Sequence, residues 1–394
     1  MKETIINNKK IIVLMEVISI LLIIPIISSM IWAQSSNIQN NSIHLSNQNR
    51  DILSPFEDRV INKMNSSQFS DFAESFSSPL IFKEKKEQLE KLVKSKEYKL
   101  MLKQCEFTNI SKGRENVINI TKSQIQKQKG GVFNDTVQGQ SYRKVWYLDT
   151  KDFEIKNNNF TLQIREKYKN TDDLKEYDVV LKNRDDDIHN ALKYNLSDPK
   201  KNPNFNYKED PDKEKPEFKF EEDIITPFQS KFSASTKFEF KPQQKPKLET
   251  WQDILSVFPN LDDLGISQTE SLLPVNGFMA KEFSYELGNL KFKNGNESKT
   301  EISLWYLSNE TDKNFSLSSI VNKVPLIVEF DIDVKANETS ADNGTLIYEF
   351  TPSFLKEIKR FYMELQNKSI IDLNANTTKT DYVYENFTKD IICT

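Results

Sequence analysis

Three short runs between residues 143 and 184 alternate strictly between apolar and polar side chains, and a period of two admits little besides half-buried β-strands. In the first, Val145, Tyr147 and Asp149 face away from Trp146 and Leu148. In the second, Phe160, Leu162 and Ile164 oppose Thr161, Gln163 and Arg165. In the third, Tyr177, Val179 and Leu181 oppose Asp178, Val180 and Lys182, with Arg184 continuing the polar side. Asn157-Asn158-Asn159 supplies turn chemistry between the first two, because Asn tolerates left-handed dihedrals.

The same alternation resumes further on. Phe218 and Phe220 oppose Glu217, Lys219 and Glu221, and Phe238 and Phe240 oppose Lys237, Glu239 and Lys241. Phe283, Tyr285 and Leu287 oppose Glu282, Ser284 and Glu286; Ile302, Leu304 and Tyr306 form another apolar set; Val328, Phe330 and Ile332 oppose Glu329, Asp331 and Asp333. One face is aromatic or aliphatic and the other carries fixed charges of both signs. An open sheet with one wet face would satisfy this pattern. So would a closed barrel with its charges inside and helices over its apolar outside, which has the advantage of leaving no strand edge.

Helix signals flank these strands. Ser78-Pro79 reads as a helix start, and Glu87/Lys91 and Glu90/Lys94 predict a spacer helix over residues 78–104. Thr250 as N-cap with Asp253 in the first turn opens a helix burying Trp251, Ile254, Leu255 and Phe258. Thr351-Pro352 opens a last one through Phe354, Ile358, Phe361, Tyr362 and Leu365. Residues 185–216 are dense in Asp, Lys, Asn and Pro and read as a disordered insertion.

Residues 11–33 form an apolar run behind Lys9 and Lys10, close to the roughly 20 residues needed to cross a bilayer. They read as a signal peptide or an N-terminal transmembrane anchor, and residues 34–77, rich in Ser, Asn and Gln, as a disordered tether. Either reading places the remainder outside the cytoplasm, secreted or membrane-anchored and facing outward, as a cell-surface protein. Asn-x-Ser/Thr acceptors at Asn65, Asn109, Asn159, Asn195, Asn296, Asn309 and Asn337 fit a glycoprotein, although an Asn- and Ser-rich chain also makes such triplets by chance. The two cysteines, Cys105 and Cys393, fit either one disulfide or two buried thiols.

Composition excludes several chemistries. The chain has 9 glycines in 394 residues, and neither glycine-rich phosphate-loop pattern occurs. Its two histidines, His44 and His189, are far apart, so zinc clusters and histidine-activated nucleophiles lack their usual parts. A formal charge of −4 without a basic block argues against nucleic acid as a partner.

Tyr147-Leu148-Asp149-Thr150, then Thr161-Leu162-Gln163-Ile164-Arg165, then Val180-Leu181-Lys182 resemble, in order and spacing, the Tyr-Phe-Asp-Thr, Leu-Arg-x-Arg and Leu-Lys elements of the CYTH family of triphosphate tunnel enzymes. The resemblance implies an α+β fold: an antiparallel closed β-barrel with flanking helices, spanning residues 105–390 after the spacer helix. It implies a polyphosphate-type anion as ligand, held by Arg165, Lys182, Arg184 and Lys237. Glu239, Glu329 and Asp331 would bind Mg²⁺ or Mn²⁺, with Lys237-x-Glu239 standing for the family's Arg-x-Glu and Glu329-x-Asp331 for its late Glu-x-Glu. Hard cations take oxygen ligands and polyphosphates take arginine and lysine, so this chemistry needs no histidine or cysteine.

The departures bear on activity. Gln163 stands where the family's first strand arginine is expected, and Trp305 near a late acid. The opening Glu-x-Glu-x-Lys strand has its nearest counterpart at Glu115–Asn119, with one acid left. The expectation is therefore an exported domain that binds triphosphate or polyphosphate as a metal-dependent phosphohydrolase, or else a non-catalytic anion-binding or structural surface protein.

Overall fold

A computed structural model describes residues 89–394 apart from 136–138, 170–172, 203–215, 294–296, 310–318, 321, 341–345, 374, 376–377, 386–392 and 394. The expected membrane segment and tether lie outside the described residues, as do Asn65 and Asn296. Among the described residues no helix is long and apolar enough to cross a membrane.

The strands are β1 (Ser95–Met101), β2 (Val132–Asn134), β3 (Gly139–Asp149), β4 (Phe160–Tyr168), β5 (Leu174–Asp185), β6 (Glu217–Ile225), β7 (Gln229–Phe240), β8 (Leu273–Lys291), β9 (Glu297–Leu307) and β10 (Ile327–Lys335). A small hairpin, β11 (Asn337–Ser340) with β12 (Leu346–Glu349), stands apart. The helices are α1 (Ile110–Lys127), α2 (Glu154–Asn157), α3 (Ile188–Leu192), α4 (Trp251–Leu255), α5 (Pro352–Gln366) and α6 (Lys379–Glu385). The large sheet runs β2-β8-β3-β4-β5-β7-β6-β1-β10-β9, and β9 pairs back onto β8. Nine strands thus close into a barrel, with β2 an appendage on β8.

The barrel has its polarity reversed from that of an ordinary core. Outside β8, β9, β10 and β1, the side chains of Phe283, Tyr285, Ile302, Leu304, Phe330, Tyr98 and Leu100 pack against Phe354, Ile358, Phe361 and Tyr362 of α5 and Val117 and Ile125 of α1. Outside β3, β4, β5 and β7, a second cluster joins Leu148, Phe160, Leu162, Val179, Leu181 and Phe238 to Trp251, Ile254 and Phe258 around α4. The charged faces turn inward. The closed barrel, not the open sheet, is the arrangement adopted.

Several expectations are corrected. Residues 78–88 of the expected spacer helix lie outside the described residues; of the rest, Leu89 and Glu90 are helical, but Ser95–Met101 is strand β1. It lies antiparallel to β10 and parallel to β6, so the barrel is mixed, not purely antiparallel, and begins before residue 105. The Glu–Lys pairs four apart are worth only a few tenths of a kcal/mol each, less than two strand pairings can supply. Glu115–Asn119 is no strand but the middle of α1, opened by Asn109, whose side chain accepts the Lys112 N–H at 3.0 Å. Its Asn, Thr and Ser residues are weak helix formers, which hid it. The insertion is partly folded: Asp187 caps α3, and Ile188, Ala191 and Leu196 are buried.

Other features follow the sequence. Asp253 accepts the Thr250 N–H at 2.9 Å and so starts α4. Asn159 takes a left-handed φ of 65° at the β3–β4 connection. Cys105 and Cys393 form a disulfide with their Cα atoms 5.5 Å apart. Asn109, Asn159, Asn309 and Asn337 are exposed, and Asn195 is half-buried with its side chain accepting from Ser197.

One glycine is fixed by close approach. Gly288 sits at the irregularity where β8 shifts register on β9, with φ 139°, and a Cβ there would lie 2.0 Å from the Asn134 carbonyl oxygen. Gly288→Ala is expected to destabilise the fold by roughly 2 kcal/mol or more through strain and a backbone clash. A denaturant titration of the two proteins checks it, and an unchanged midpoint would contradict the packing described.

Candidate functional site in the barrel

The inward faces of the nine strands enclose a cavity of about 440 Å³. Ten lysines and arginines and nine carboxylates line it, so the space is charged but close to neutral in sum. The two signs are segregated. From β3, β4 and β5 come Arg143, Arg165, Lys167, Lys182 and Arg184, against one acid, Asp178. From β8, β9 and β10 come Glu282, Glu301, Glu329, Asp331 and Asp333, against one base, Lys299. The alternation of each strand causes this directly, since every second residue points into the barrel.

At the back of the wall, Asp223 of β6 is fully buried and bonded to Lys99 at 2.8 Å and to Arg184 at 2.6 Å. Burial by itself raises a carboxyl pKa, but Lys99, Arg184 and Lys182 outweigh it and hold Asp223 well below the usual range. Lys99 also pairs with Glu97 at 2.7 Å. Lys182 is less well matched: burial pulls its ammonium downward, and the nearest carboxylate, Glu221, is 3.9 Å away. Arg165 has no carboxylate within ion-pair distance among the described residues; its Nε donates to Gln163 Oε1 at 2.8 Å.

The acidic wall has the opposite imbalance. Asp331 Oδ1 and Asp333 Oδ1 are buried without a hydrogen-bond partner among the described residues. Burial first, then the charge of Glu329 beside it, push the Asp331 carboxyl well above its ordinary value. Glu282, though buried, is drawn down to about 2 by Arg143, Lys379 and Arg165. Unsatisfied buried carboxylate oxygens are costly, and a divalent cation with oxygen preference would satisfy them. The orphan oxygens of Asp331 and Asp333 fit such an ion, whereas Glu97 and Glu329 beside them are already paired, with Lys99 at 2.7 Å and Lys379 at 2.7 Å.

Of the sequence-predicted residues, Arg165, Lys182, Arg184, Lys237, Glu329 and Asp331 all line the cavity. They are not equally free. Arg184 is committed to Asp223, and Lys237 is held by Glu217 at 2.5 Å and Glu239 at 3.0 Å. Glu239 is separated from the expected metal set: it does not line the cavity but groups with Glu176 and Asp178, their ligand oxygens within 4.8 Å of one another. Lys167 already neutralises that group, at 3.1 Å from Glu176 and 2.8 Å from Asp178.

Sequence reasoning missed Glu97, Lys99, Arg143 and Lys379. The first two lie on β1 and face the cavity. Their signal was available, since Glu97 and Lys99 alternate with Tyr98 and Leu100. Lys379 reaches the cavity from α6, which has no pattern that marks it.

No family profile and no curated protein matches the chain. Among solved structures, a candidate adenylyl cyclase from Hippeastrum described as having a dominant triphosphatase activity overlaps 74% of this chain and 95% of its own, at 11% identity and a TM-score of 0.34. A candidate adenylate cyclase from Bacillus halodurans overlaps 69% and 92%, at 13% identity and a TM-score of 0.27. At that level of overlap the likenesses decide nothing about this chain's chemistry.

The raised Asp331 carboxyl has a testable sign. Where the folded pKa lies above the unfolded one, ionisation opposes folding, and the cost appears as pH rises through the unfolded value of 3.8 toward the folded one. Asp331→Asn is expected to melt higher than the parent at neutral pH without added metal, with the difference vanishing toward pH 3. Melting curves at several pH values test this, and a lower neutral Tm for the variant would contradict it.

Proposed function

We propose that the barrel binds a triphosphate- or polyphosphate-type anion together with Mg²⁺ or Mn²⁺, and that it hydrolyses a phosphoanhydride bond. The observation that carries this reading is the two-sided wall: β3–β5 bring five cations against one acid, with Arg165 unpaired by any carboxylate among the described residues, and β8–β10 bring five carboxylates against one base, with one oxygen each of Asp331 and Asp333 left over. An ordinary anion would satisfy the first and leave the second. A polyphosphate with its counter-cation satisfies both, because it presents several anionic oxygens in a row and carries a hard metal ion.

The roles follow from the neighbours of each side chain. Arg165 and Lys182, the least neutralised cations, take phosphate oxygens. Arg184 and Lys99, held by Asp223, form a fixed second rank whose geometry does not have to reorganise on binding. Glu97, Glu329 and Asp331 would hold the cation, which when bound screens phosphate charge and polarises the phosphoryl group. The segment around residues 11–33, the Asn-x-Ser/Thr triplets and the Cys105–Cys393 disulfide support export of the domain, anchored or secreted.

Gln163, standing where the resemblance leads one to expect an arginine, favours a second reading, in which the tunnel captures phosphorylated anions without turning them over. One experiment separates the two. The full chain is melted with and without tripolyphosphate, each with and without Mg²⁺ or Mn²⁺, and phosphate release is assayed under the same conditions. A ligand at ~100 times its Kd adds about 2.7 kcal/mol, a plainly visible shift. A shift that needs both metal and tripolyphosphate, with phosphate released, is the expected result; a metal-independent shift without product supports capture. No shift in any combination rejects both.

Arg165→Ala is expected to weaken tripolyphosphate binding about tenfold or more, the worth of one hydrogen bond between charged groups at roughly 1.5–3 kcal/mol. Calorimetric titration of parent and variant checks it, and equal affinities would remove Arg165 from the site.

A further inference from the structure

Helix α6 delivers into the tunnel a charge that no strand supplies. Lys379 Nζ lies 2.7 Å from Glu329 and 3.9 Å from Glu282, with the Trp305 ring centroid 5.7 Å away. The ammonium therefore sits against Glu329 of β10, one of the carboxylates to which the reading above gives the divalent cation. It matches them poorly. It satisfies Glu329 but leaves Asp331 Oδ1 and Asp333 Oδ1 without partners. A single positive charge on a tethered stem is a partial substitute for a doubly charged ion with six or more oxygen ligands.

The contacts that dock α6 lie away from those carboxylates. The Tyr384 hydroxyl donates to Asp149 at 2.8 Å, Lys156 pairs with Asp381 at 2.8 Å, and Asn276 Nδ2 donates to the Val383 carbonyl at 3.2 Å. A helix of seven residues is too short to persist alone, so its position depends on these polar contacts and on the packing of Val383, Tyr382 and Tyr384 beside Tyr147 and Phe153. Elements held in this way open at low cost compared with the barrel itself.

We propose that Lys379 is a built-in competitor of the divalent cation: the docked α6 is the cation-free state, and the ion enters as the ammonium leaves. The proposal rests on the tunnel being a metal and polyphosphate site. Coupling of this kind is reciprocal, so whatever weakens docking of α6 tightens the cation, and the bound cation undocks α6.

The test is a titration of the full chain with Mn²⁺ alone, the free ion being counted by electron paramagnetic resonance. Lys379→Met, which keeps the stem and removes the charge, is expected to tighten Mn²⁺ binding about tenfold or more. Tyr384→Phe removes a docking contact without altering any carboxylate that faces the cation, and is expected to shift affinity the same way by a smaller factor. Adding Glu329→Gln to Lys379→Met should abolish the gain, which separates this site from the carboxylates around Glu239. Unchanged or weaker Mn²⁺ binding in both single variants overturns the competitor role while leaving the tunnel reading intact, provided the parent takes up the ion. So does a loss of tripolyphosphate affinity in Lys379→Met with Mn²⁺ affinity unchanged, because Lys379 would then be a phosphate ligand. Absence of Mn²⁺ uptake by every form, with and without tripolyphosphate, overturns both. Should Lys379→Met fail to fold by circular dichroism, Tyr384→Phe decides alone.

Discussion

Lys99 and Arg184 converge on the fully buried carboxylate of Asp223, and the interior of the barrel is organised outward from that contact. Removing charges from water costs several kcal/mol per ion, and close pairing with additional hydrogen bonds is what offsets it. Asp223 has two cationic partners, and Lys99 passes the balance on to Glu97. The chain of alternating charges crosses from β1 to β6 to β5 and ties together strands far apart in sequence. Breaking it at Asp223 would leave two cations facing one another with no acid between them.

Placed on that base, the remaining wall is imbalanced in two opposite directions. Among the described residues Arg165 has no carboxylate at ion-pair distance, Lys182 has Glu221 only at 3.9 Å, and Asp331 Oδ1 and Asp333 Oδ1 have no hydrogen-bond partner. A protein interior selected for stability alone would pair or remove such groups, since replacing ionic contacts by apolar ones is often neutral or favourable. Their retention on facing arcs of a cavity is the physical ground for a ligand that carries both signs. Local reserves of unmet electrostatic demand of this kind mark functional sites more often than structural ones.

Much of this was legible in the sequence because a period of two is local. Glu329 sits between Val328 and Phe330 and Asp331 between Phe330 and Ile332, so the face they occupy follows from the residues on either side. The apolar helix α5 was equally plain from Phe354, Ile358, Phe361 and Leu365. Hidden were features whose cause lies at a distance. Ser95–Met101 follows directly on Glu–Lys pairs spaced for a helix, and β10 and β6 on its two sides make it a strand. Glu239 follows the inward alternation of β7, yet its depth in the barrel, beside Glu176 and Asp178, depends on register with β5. Lys379 enters from a short helix with no amphipathic signature, and only the folded chain brings it to Glu329.

The placement of β1 between β10 and β6 bears on how the chain can be divided. Its pairing with β6 is the one parallel pairing among the described strands, and the strand comes from the sequence before Cys105. A fragment starting at residue 105 would keep eight of the nine barrel strands but hold them as an open sheet. β6 and β10 would then present two long rows of unpaired N–H and C=O groups flanked by aromatic side chains, the arrangement that recruits strands from other molecules. The slender segment at residues 95–101 is thus also what keeps the protein from polymerising through its own edges.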